Sequence, residues 1–246
     1  MDNVKNIIAV MSGKGGVGKS FVTSSVAVEL KNKGYKVGIL DADITGPSIP
    51  KMFGLKEKLL GDETGMFPAK TKDGIEIVSI NLLLNDESDP VIWRGPVLSS
   101  AIKQFKDEVH WGELDYLLID MPPGTGDVAL TVLHEFEIDG ALLVSSPQEL
   151  VKLIVTKIYK MLDMMKVDII GLIENFSYIE CPDCGKKISV FGESSADEAA
   201  REFNIDLLAK LPIMPELTKK ADEGEFEKMH NENFDNVIKK IVSISK

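Results

Sequence analysis

Cysteine is scarce in this chain, and long apolar runs and an excess of positive charge are missing. Its 246 residues include two cysteines, so no disulfide framework supports the fold. No apolar run approaches the roughly 20 residues that a membrane-spanning helix needs. The 28 basic and 39 acidic residues give a net charge of −11, which argues against a broad nucleic-acid-binding face. We expect no nucleic-acid partner and no stable membrane association.

Targeting and linker signals are missing as well. The first residues, Met1-Asp2-Asn3-Val4, lack the basic and then apolar pattern of a signal peptide, so we expect a cytoplasmic location. The chain has no internal repeat, low-complexity tract or Pro/Ser-rich linker. A chain of this length can bury one substantial core. We therefore predict a single domain over residues 1–246.

Apolar strand-like segments alternate with amphipathic segments of helix length. Strands are predicted at 6–12, 36–43, 74–80, 114–123, 140–146, 169–176 and 205–212. Helices are predicted at 20–34, about 97–108, 148–165 and 194–203, with a closing helix from Asn233. This alternation predicts an α/β fold with a mostly parallel sheet and helices on both faces. Functional residues should then lie at the carboxyl ends of the strands.

A glycine-rich loop, "MSGKGGVGKS", follows the first strand and precedes a helix. Gly13, Gly18, Lys19 and Ser20 satisfy G-x-x-x-x-G-K-[ST], in which backbone N–H groups and a helix N-terminus bind phosphate. Lys19 should reach the β- and γ-phosphates, and the Ser20 hydroxyl should coordinate Mg²⁺. The predicted cofactors of this loop are ATP and Mg²⁺. The predicted loop contacts are Gly13, Lys14, Gly15, Gly16, Val17, Gly18, Lys19 and Ser20.

Three aspartates follow apolar strands. Asp120 precedes "MPPGTGD" and has the position of a Walker B carboxylate followed by a switch loop. Asp41 and Asp43 end another strand and could hold the metal shell and orient the attacking water. Strand-ending aspartates can also merely cap turns. Their coincidence with a P-loop favours the Mg²⁺ and catalytic assignment.

Together these segments resemble a known family. "GKGGVGKS" is similar to the deviant Walker A motif of the MinD/ParA class, which includes the nitrogenase iron protein and the arsenite-pump ATPase. "DADITGPSIP", "WRGP", "DYLLIDMPPGTGD", "GLIENFS" and "CPDCG" resemble the Mrp (ApbC-like) iron–sulfur cluster carriers. These motifs span residues 11–185, and the later "LPIMP" extends the match. The extra N-terminal cysteine cluster of some eukaryotic relatives has no counterpart before Cys181.

The resemblance implies roles for individual residues. It implies that Lys14, the second lysine of the loop, reaches the nucleotide of a partner subunit, as an arginine finger does. It also implies that Asp43 assists water attack and that Asn175 hydrogen-bonds the adenine. The 211–215 loop, with Pro212, should pack near the base. An exposed lysine and a turn-capping asparagine are the plainer alternatives for Lys14 and Asn175.

Both cysteines lie in "CPDCG", within an inserted loop of about 177–190. A C-x-x-C turn brings Cys181 and Cys184 to one side, but zinc and [4Fe–4S] sites normally take four protein ligands. A dithiol redox pair, zinc shared between subunits, a [4Fe–4S] cluster bridging two chains and unliganded thiols all remain open. The resemblance favours the bridging cluster, and a symmetric homodimer would satisfy both Lys14 and the cysteines.

Three functions compete for this set of motifs. The first is an ATP-hydrolysing carrier that passes its cluster to apo iron–sulfur proteins. The second is a spatial-organisation ATPase of the MinD/ParA type, for which an apolar stripe from Phe234 to Val242 could serve as an amphipathic membrane helix. A helix packed onto the domain explains the same stripe. The third is an ATP-gated electron donor like the nitrogenase iron protein.

Overall fold

The computed structural model describes residues 1, 3–43, 46, 48–56, 58–83, 95–147, 151–192 and 194–245. Its strands are β1 (Val4–Ser12), β2 (Val37–Asp41), β3 (Leu60–Asp62), β4 (Gly65–Phe67), β5 (Ala69–Lys70), β6 (Glu76–Ser79), β7 (Leu114–Asp120), β8 (Gly140–Ser145), β9 (Ile169–Glu180), β10 (Lys187–Ile188) and β11 (Leu207–Pro212). Its helices are α1 (Lys19–Asn32), α2 (Ile49–Met52), α3 (Gly95–Asp107), α4 (Asp127–Glu135), α5 (Val151–Met165), α6 (Ala196–Glu202), α7 (Pro215–Asp222) and α8 (Asp235–Ile244). Short 3₁₀ turns cover Ile80–Leu82, Phe226–Lys228 and Glu232–Phe234.

The main sheet has the strand order β10-β9-β8-β1-β7-β2-β6-β5, and β11 pairs with β9. The pairs β8–β9, β1–β8, β1–β7, β2–β7, β2–β6 and β9–β11 are parallel. Among the described residues, only the short strands β5 and β10 at the two edges join this sheet antiparallel. The predicted mostly parallel α/β sheet is therefore confirmed.

The core lies on both faces of this sheet because successive strand residues point to opposite sides. In β1, Ile7, Ala9 and Met11 pack in one apolar cluster with residues of α3, α4, α5 and α6. Ile8 and Val10 pack in a second cluster with residues of α1, α2 and α8. The near-continuous burial of β1, β2, β7 and β8 follows from this double covering.

Strand order decides where the predicted site residues meet. β7 lies between β1 and β2, with Val10 opposite Asp120 and Asp41 also opposite Asp120. All three strands are parallel, so the end of β1, which continues into the glycine loop, adjoins both aspartates. In open α/β sheets, ligands bind at this carboxyl edge, in the crevice where the strand order reverses.

The sequence prediction missed several short elements. The β3–β4 hairpin, β5, β10, α2 and α7 have two to eight residues each, too few to show a hydrophobic period. The predicted helix at 148–165 is observed from Val151, and residues 148–150 lie outside the described residues. Positions 93–94 of "WRGP" and 44, 45 and 47 of "DADITGPSIP" also lie outside them.

The closing helix is packed onto the domain. Phe234, Val237, Ile238 and Ile241 are at most 1% exposed and belong to the cluster that includes α1. The apolar stripe is therefore core, and it is not presented for membrane binding in this conformation. Across the described ranges, no helix combines the length and hydropathy that crossing a bilayer requires.

Candidate functional site

The glycine loop forms a concave turn between β1 and α1. Gly16 and Gly18 have φ values of 83° and 79°, in the left-handed region that favours glycine. Gly18 is also the N-cap of α1, and no side chain caps this helix end. A β-carbon at Gly18 would lie 2.2 Å from Nδ2 of Asn175. Glycine is therefore required at Gly18 both for the backbone turn and for the approach of Asn175.

Neighbouring elements hold the beginning of this loop. A β-carbon at Gly13 would lie 1.8 Å from Cγ2 of Ile154, so α5 packs directly on the loop. The Ser12 hydroxyl donates to the carbonyl of Lys14 at 3.0 Å. The N–H of Gly124, in the predicted switch loop, donates to the carbonyl of Ser12 at 2.8 Å. The loop is thus shaped by contacts within one chain.

Lys19 and Asp120 form a buried polar centre beneath the loop. Nζ of Lys19 lies 2.8 Å from Oδ2 of Asp120, and the two side chains are 5% and 0% exposed. The hydroxyls of Ser20 and Thr23 both donate to Asp120, each at 2.6 Å. The carboxylate is held by three groups of α1, so its position is fixed before any ligand binds.

Asp41 and Asp43 occupy different depths. The side chain of Asp43 lies at the cavity surface, and its Oδ2 is 3.6 Å from Nζ of Lys19. Asp41 is fully buried and accepts hydrogen bonds from the Ser79 hydroxyl at 3.1 Å and from the Asp43 N–H at 3.2 Å. Burial, and then the charge of nearby Asp120, raise the pKa of Asp41 to about 8. Asp41 therefore lies behind Asp43 and does not line the cavity.

These groups fit a nucleotide phosphate and its Mg²⁺. Among the described residues, the Lys19 ammonium makes ion pairs but no hydrogen bond of acceptable angle, although it is buried. An ammonium with unused donors beneath a ring of backbone N–H groups suits phosphate oxygens. The Ser20 hydroxyl and the Asp120 carboxylate supply the hard oxygen ligands that Mg²⁺ takes.

A cavity of about 510 Å³ opens above this centre. Of the predicted site residues, those in its wall are Lys14, Gly15, Gly16, Gly18, Lys19, Ser20, Asp43, Asn175 and Pro212. Gly13, Val17, Asp41 and Asp120 support it from behind. Sequence reasoning missed further wall residues, namely Phe21, Met52, Phe176, Thr218 and Ala221. Phe176 lies within "GLIENFS" but received no role there, and the other four belong to no motif, since their shared property is an apolar side chain or methyl group brought together by the fold.

Asn175 lies within a bulge of β9 and not after the strand. Between two aligned pairs, β11 advances from Lys210 to Pro212 while β9 advances from Glu174 to Tyr178. We call residues 175–177 the β9 bulge. Nδ2 of Asn175 donates to the carbonyl of Val17 at 3.0 Å, so the side chain is tied to the phosphate loop. Bulges beside active sites commonly re-aim side chains in this way.

Phe176 contributes the next wall of the cavity. Its φ is 58°, an uncommon value for a residue other than glycine, asparagine or aspartate. The ring lines the cavity together with Pro212 and Met214 of the predicted 211–215 loop. An apolar wall of this kind suits the face of a nucleobase, and the strained backbone marks the position as one that the surrounding structure imposes.

The two cysteines lie at the tip of a small antiparallel hairpin. We call residues 178–192, which contain the end of β9, the cysteine turn and β10, the cysteine hairpin. Cys181 and Lys186 are joined by an N–H to carbonyl bond of 3.0 Å, and Gly185 donates to the Cys181 carbonyl at 2.9 Å. Both thiols are free, with Cys181 half-buried and Cys184 exposed.

The thiol environment suits a metal ligand. Backbone hydrogen bonds from Asp183 and Cys184, and then the Cys184 thiol, lower the pKa of the Cys181 thiol. Within the described ranges, no group of three or more histidine, cysteine, aspartate or glutamate side chains is arranged to hold a metal ion. His110 is bonded to the Thr64 carbonyl and His230 to Glu29, so neither lies with the cysteines. The hairpin of one chain therefore supplies two thiols to a metal or cluster.

One strand carries both sites. β9 contains Asn175 at the nucleotide cavity and ends at Glu180, directly before Cys181. Six residues of extended strand span about 20 Å at roughly 3.3 Å per residue. The bulge shortens this path. The cysteine pair therefore lies beyond the cavity along the same backbone, at the carboxyl edge of the sheet.

The loop, its buried lysine and the strand-end aspartates define a P-loop NTPase of the deviant Walker A, MinD/ParA-like class. Residues 3–244 match the family model described as ParA, NUBPL iron-transfer P-loop NTPase. The chain therefore belongs to this iron-transfer family of P-loop NTPases, as the sequence resemblance predicted.

Individual relatives agree with this membership. A curated relative from Clostridium perfringens, named iron-sulfur cluster carrier protein, is 48% identical in an alignment 239 residues long that covers 94% of this chain and 84% of the relative. A solved nucleotide-binding protein from Archaeoglobus fulgidus, in complex with ADP, is 45% identical with a TM-score of 0.85, covering 95% of this chain and 92% of that one. The septum site-determining protein MinD from Pyrococcus horikoshii is 21% identical with a TM-score of 0.64 over 97% of this chain and 95% of that chain, which shows the shared fold.

Proposed function

We propose that this protein is an ATP-hydrolysing carrier that holds a [4Fe–4S] cluster between two subunits and transfers it to apo iron–sulfur proteins. The observation that carries this proposal is the pairing of two sites on β9. Asn175, in the middle of this strand, lines the nucleotide cavity and is bonded to the phosphate loop, and a two-thiol hairpin follows the carboxyl end of the strand. Family membership and the printed name of the Clostridium perfringens relative support the cargo.

The nucleotide half of the function follows from the buried centre. Lys19 would hold the β- and γ-phosphate oxygens, and Ser20 and Asp120 would hold Mg²⁺. Asp41, predicted as a further Mg²⁺ ligand, is buried outside the cavity wall and would support this group from behind Asp43. When bound, Mg²⁺ neutralises charge on the phosphates and orients them. Asp43, at the cavity surface and 3.6 Å from the Lys19 ammonium, is placed to orient the attacking water. Asn175 and Pro212 contribute to the adenine end of the cavity, where both are found in the wall.

Lys14 has its role across a subunit interface. It is exposed at the cavity rim, whereas Lys19 is buried at the cavity floor. Each chain therefore already supplies its own phosphate-binding cation, the buried Lys19. We propose that the exposed lysine of each subunit stabilises charge on the phosphoryl group held by the other. This arrangement requires a homodimer with the two cavities facing each other.

The cluster half of the function requires the same dimer. Two thiolates from one chain fill two of the four positions that a [4Fe–4S] cluster offers to protein ligands. A two-fold axis supplies the same two thiolates again from the partner. Cluster binding needs deprotonated thiols, which the lowered pKa of Cys181 favours. Free thiols of this kind persist in a reducing compartment, and we place the activity in the cytoplasm.

The test is anaerobic reconstitution of the whole chain with iron and sulfide, followed by metal analysis and mass measurement in solution. We expect about four irons and four sulfides per dimer, in keeping with one [4Fe–4S] unit. Mixing the loaded protein with the apo form of a [4Fe–4S] enzyme should restore that enzyme's activity. Loaded carrier separated by a dialysis membrane is the control for free iron.

Two outcomes would change the proposal. One zinc per dimer with no iron bound would leave an ATPase with a structural metal clasp. Retention of the cluster, with only an electron passed to the acceptor, would favour the electron-donor alternative. The spatial-organisation alternative loses its candidate membrane helix, since the apolar stripe of α8 is packed in the core.

A further inference from the structure

Glu174 is a fully buried residue of β9 whose side chain takes no part in the nucleotide site. Its backbone is paired with Ser145 of β8 and with Lys210 of β11. Its carboxyl group accepts hydrogen bonds from the hydroxyls of Ser177 and Ser194. A buried acid needs such partners to offset the loss of water. Here the two partners lie on either side of the cysteine hairpin in the chain.

The first partner closes the β9 bulge. Ser177 is its last residue, so the bond to Glu174 joins the residue before the bulge to its end. The left-handed backbone of Phe176 is strained and persists only where the surroundings impose it. The bond to Glu174 is one restraint on this segment, and the bond from Asn175 to the Val17 carbonyl is another.

The second partner lies where the chain returns from the cysteine hairpin. The Ser194 hydroxyl donates to Glu174 and accepts from the N–H of Ala196, the first residue of α6. Ala196 is fully buried, so this end of the hairpin is anchored in the core. One carboxyl group thus binds the segment that leaves the nucleotide cavity and the segment that returns from the cysteines.

We propose that Glu174 is a positioning residue that couples occupation of the nucleotide cavity to the geometry of Cys181 and Cys184. The inference rests on the proposed function, because it assigns the link between its two halves. Nucleotide entering the cavity contacts the β9 bulge, and Glu174 is bonded both to Ser177, at the end of the bulge, and to Ser194, so that its two partners flank the cysteine hairpin in the chain. A change at the bulge therefore shifts the two segments from which the cysteine hairpin extends.

Such coupling has a thermodynamic signature. If nucleotide alters the preferred geometry of the thiols, then whatever the thiols bind must alter nucleotide affinity by the same factor. Couplings between sites are typically about 5–150-fold in affinity. The structure places the link in side chains that can be changed one at a time, with both sites left intact.

The experiment measures the reactivity of each cysteine in the cluster-free protein. Wild-type protein is treated with limiting iodoacetamide, with and without saturating Mg·ADP, and the alkylation rate of each thiol is followed by peptide mass spectrometry. We expect Mg·ADP to change the rate of Cys181 or Cys184 by about fivefold, the lower end of ordinary coupling. This readout needs no iron, so it stays separate from cluster binding.

Three variants locate the link. Ser194→Ala removes one hydroxyl from Glu174 and should reduce the nucleotide effect to less than about twofold, since the hairpin end is released. Ser194→Thr keeps the hydroxyl and should restore the effect. Ser195→Ala is the matched control, because the neighbouring Ser195 side chain makes no cap bond to α6. All three should bind Mg·ADP with wild-type affinity and melt cooperatively.

A wild-type alkylation rate that does not respond to saturating Mg·ADP would overturn the coupling. So would a nucleotide effect that persists unchanged in Ser194→Ala. If Ser194→Ala proves unstable, Glu174→Gln takes its place, because it keeps one acceptor oxygen in a group of the same shape. In this variant, we expect Mg·ADP to change the thiol alkylation rate by less than in wild type but by more than in a protein without the link. Failure of reconstitution with a preserved nucleotide effect would count against the cluster cargo and leave the link in place.

Discussion

The phosphate loop and the cysteine hairpin are both turns at the carboxyl edge of one sheet, yet they are built differently. The loop lies between two central elements, β1 and α1, and beneath it Lys19 and Asp120 are nearly inaccessible. The hairpin is formed by the end of β9 and a two-residue edge strand, β10, and its tip is exposed. The buried cation and carboxylate of the first site both come from one chain, whereas the hairpin of one chain supplies only two thiols.

This difference separates what must be permanent from what must be exchanged. A buried ammonium and a carboxylate bonded to two hydroxyls form a preorganised site, which binds phosphate without reordering side chains. Because the hairpin tip is exposed, its separation from a partner subunit and from a bound cluster should cost little free energy. On the proposed function, nucleotide is bound by a rigid site and the cluster by a labile one.

The largest effect should come from Lys19→Ala. It removes the only cation beneath the phosphate loop in the described structure and leaves the buried Asp120 without its ion-pair partner. We expect ATP turnover to fall by at least about 10³-fold, because a lost charge-stabilising donor alone costs about 10²–10³-fold. Nucleotide affinity, measured by calorimetry, should fall severely. Lys33→Ala at the end of α1 is the control, and near-normal turnover in Lys19→Ala would remove the P-loop assignment.

Cysteine substitutions should affect the opposite site alone. Cys181→Ser or Cys184→Ser removes two of four cluster ligands at once, because symmetry doubles each change. Iron content after reconstitution should fall from about four per dimer to nearly none. Mg·ADP affinity should equal that of the cluster-free wild-type protein, since neither cysteine lines the nucleotide cavity. Ser189→Ala in the same hairpin is the control, and full iron retention in either cysteine variant would contradict the assignment.

Lys14→Ala should spare binding and reduce turnover. We expect a loss of about 10²-fold or more in the rate of hydrolysis, the scale of a lost charge-stabilising group, with a much smaller change in Mg·ADP affinity. Mixing equal amounts of Lys14→Ala and Asp43→Asn proteins should restore about one quarter of wild-type activity, since half the dimers are mixed and each has one intact site. No restoration at any ratio would place Lys14 in its own subunit's site or outside the reaction.

The smallest effects should come from a matched pair of glycine substitutions. Gly18 and Gly185 both have left-handed backbones, with φ of 79° and 68°. A β-carbon would lie 2.2 Å from the nearest atom at Gly18 but 3.7 Å at Gly185. Gly185→Ala should therefore cost only the backbone strain, about 1–2 kcal/mol and local to the hairpin. Gly18→Ala should cost more and should also weaken Mg·ADP binding. Calorimetric melts and ADP titrations of both variants test this, and equal losses would contradict the contrast between the sites.

Much of the nucleotide site could be predicted because its signals are local. The G-x-x-x-x-G-K-S pattern specifies a turn, a cation and a hydroxyl within eight residues, and apolar strands mark where each aspartate should lie. Asn175 could be named only through the family resemblance. Its place in a bulge, bonded to Val17, follows from pairing with β11, which is distant in sequence. The 211–215 part of the cavity wall was likewise expected only through the resemblance, whereas Phe21, Met52, Thr218 and Ala221 had no signal because only the fold brings them together.

The amino-acid sequence by itself determined the alternation of strands and helices, the phosphate loop, the strand-end aspartates and the cysteine pair, because each depends on residues close together in the chain. Tertiary structure decided which of them meet. The strand order placed β7 between β1 and β2, and so brought Asp120 against both Lys19 and Asp41. The tertiary structure also placed Ser194 against Glu174, which lies 20 residues earlier in the chain. Contacts at such separations depend on packing and chain topology, and no local period encodes them.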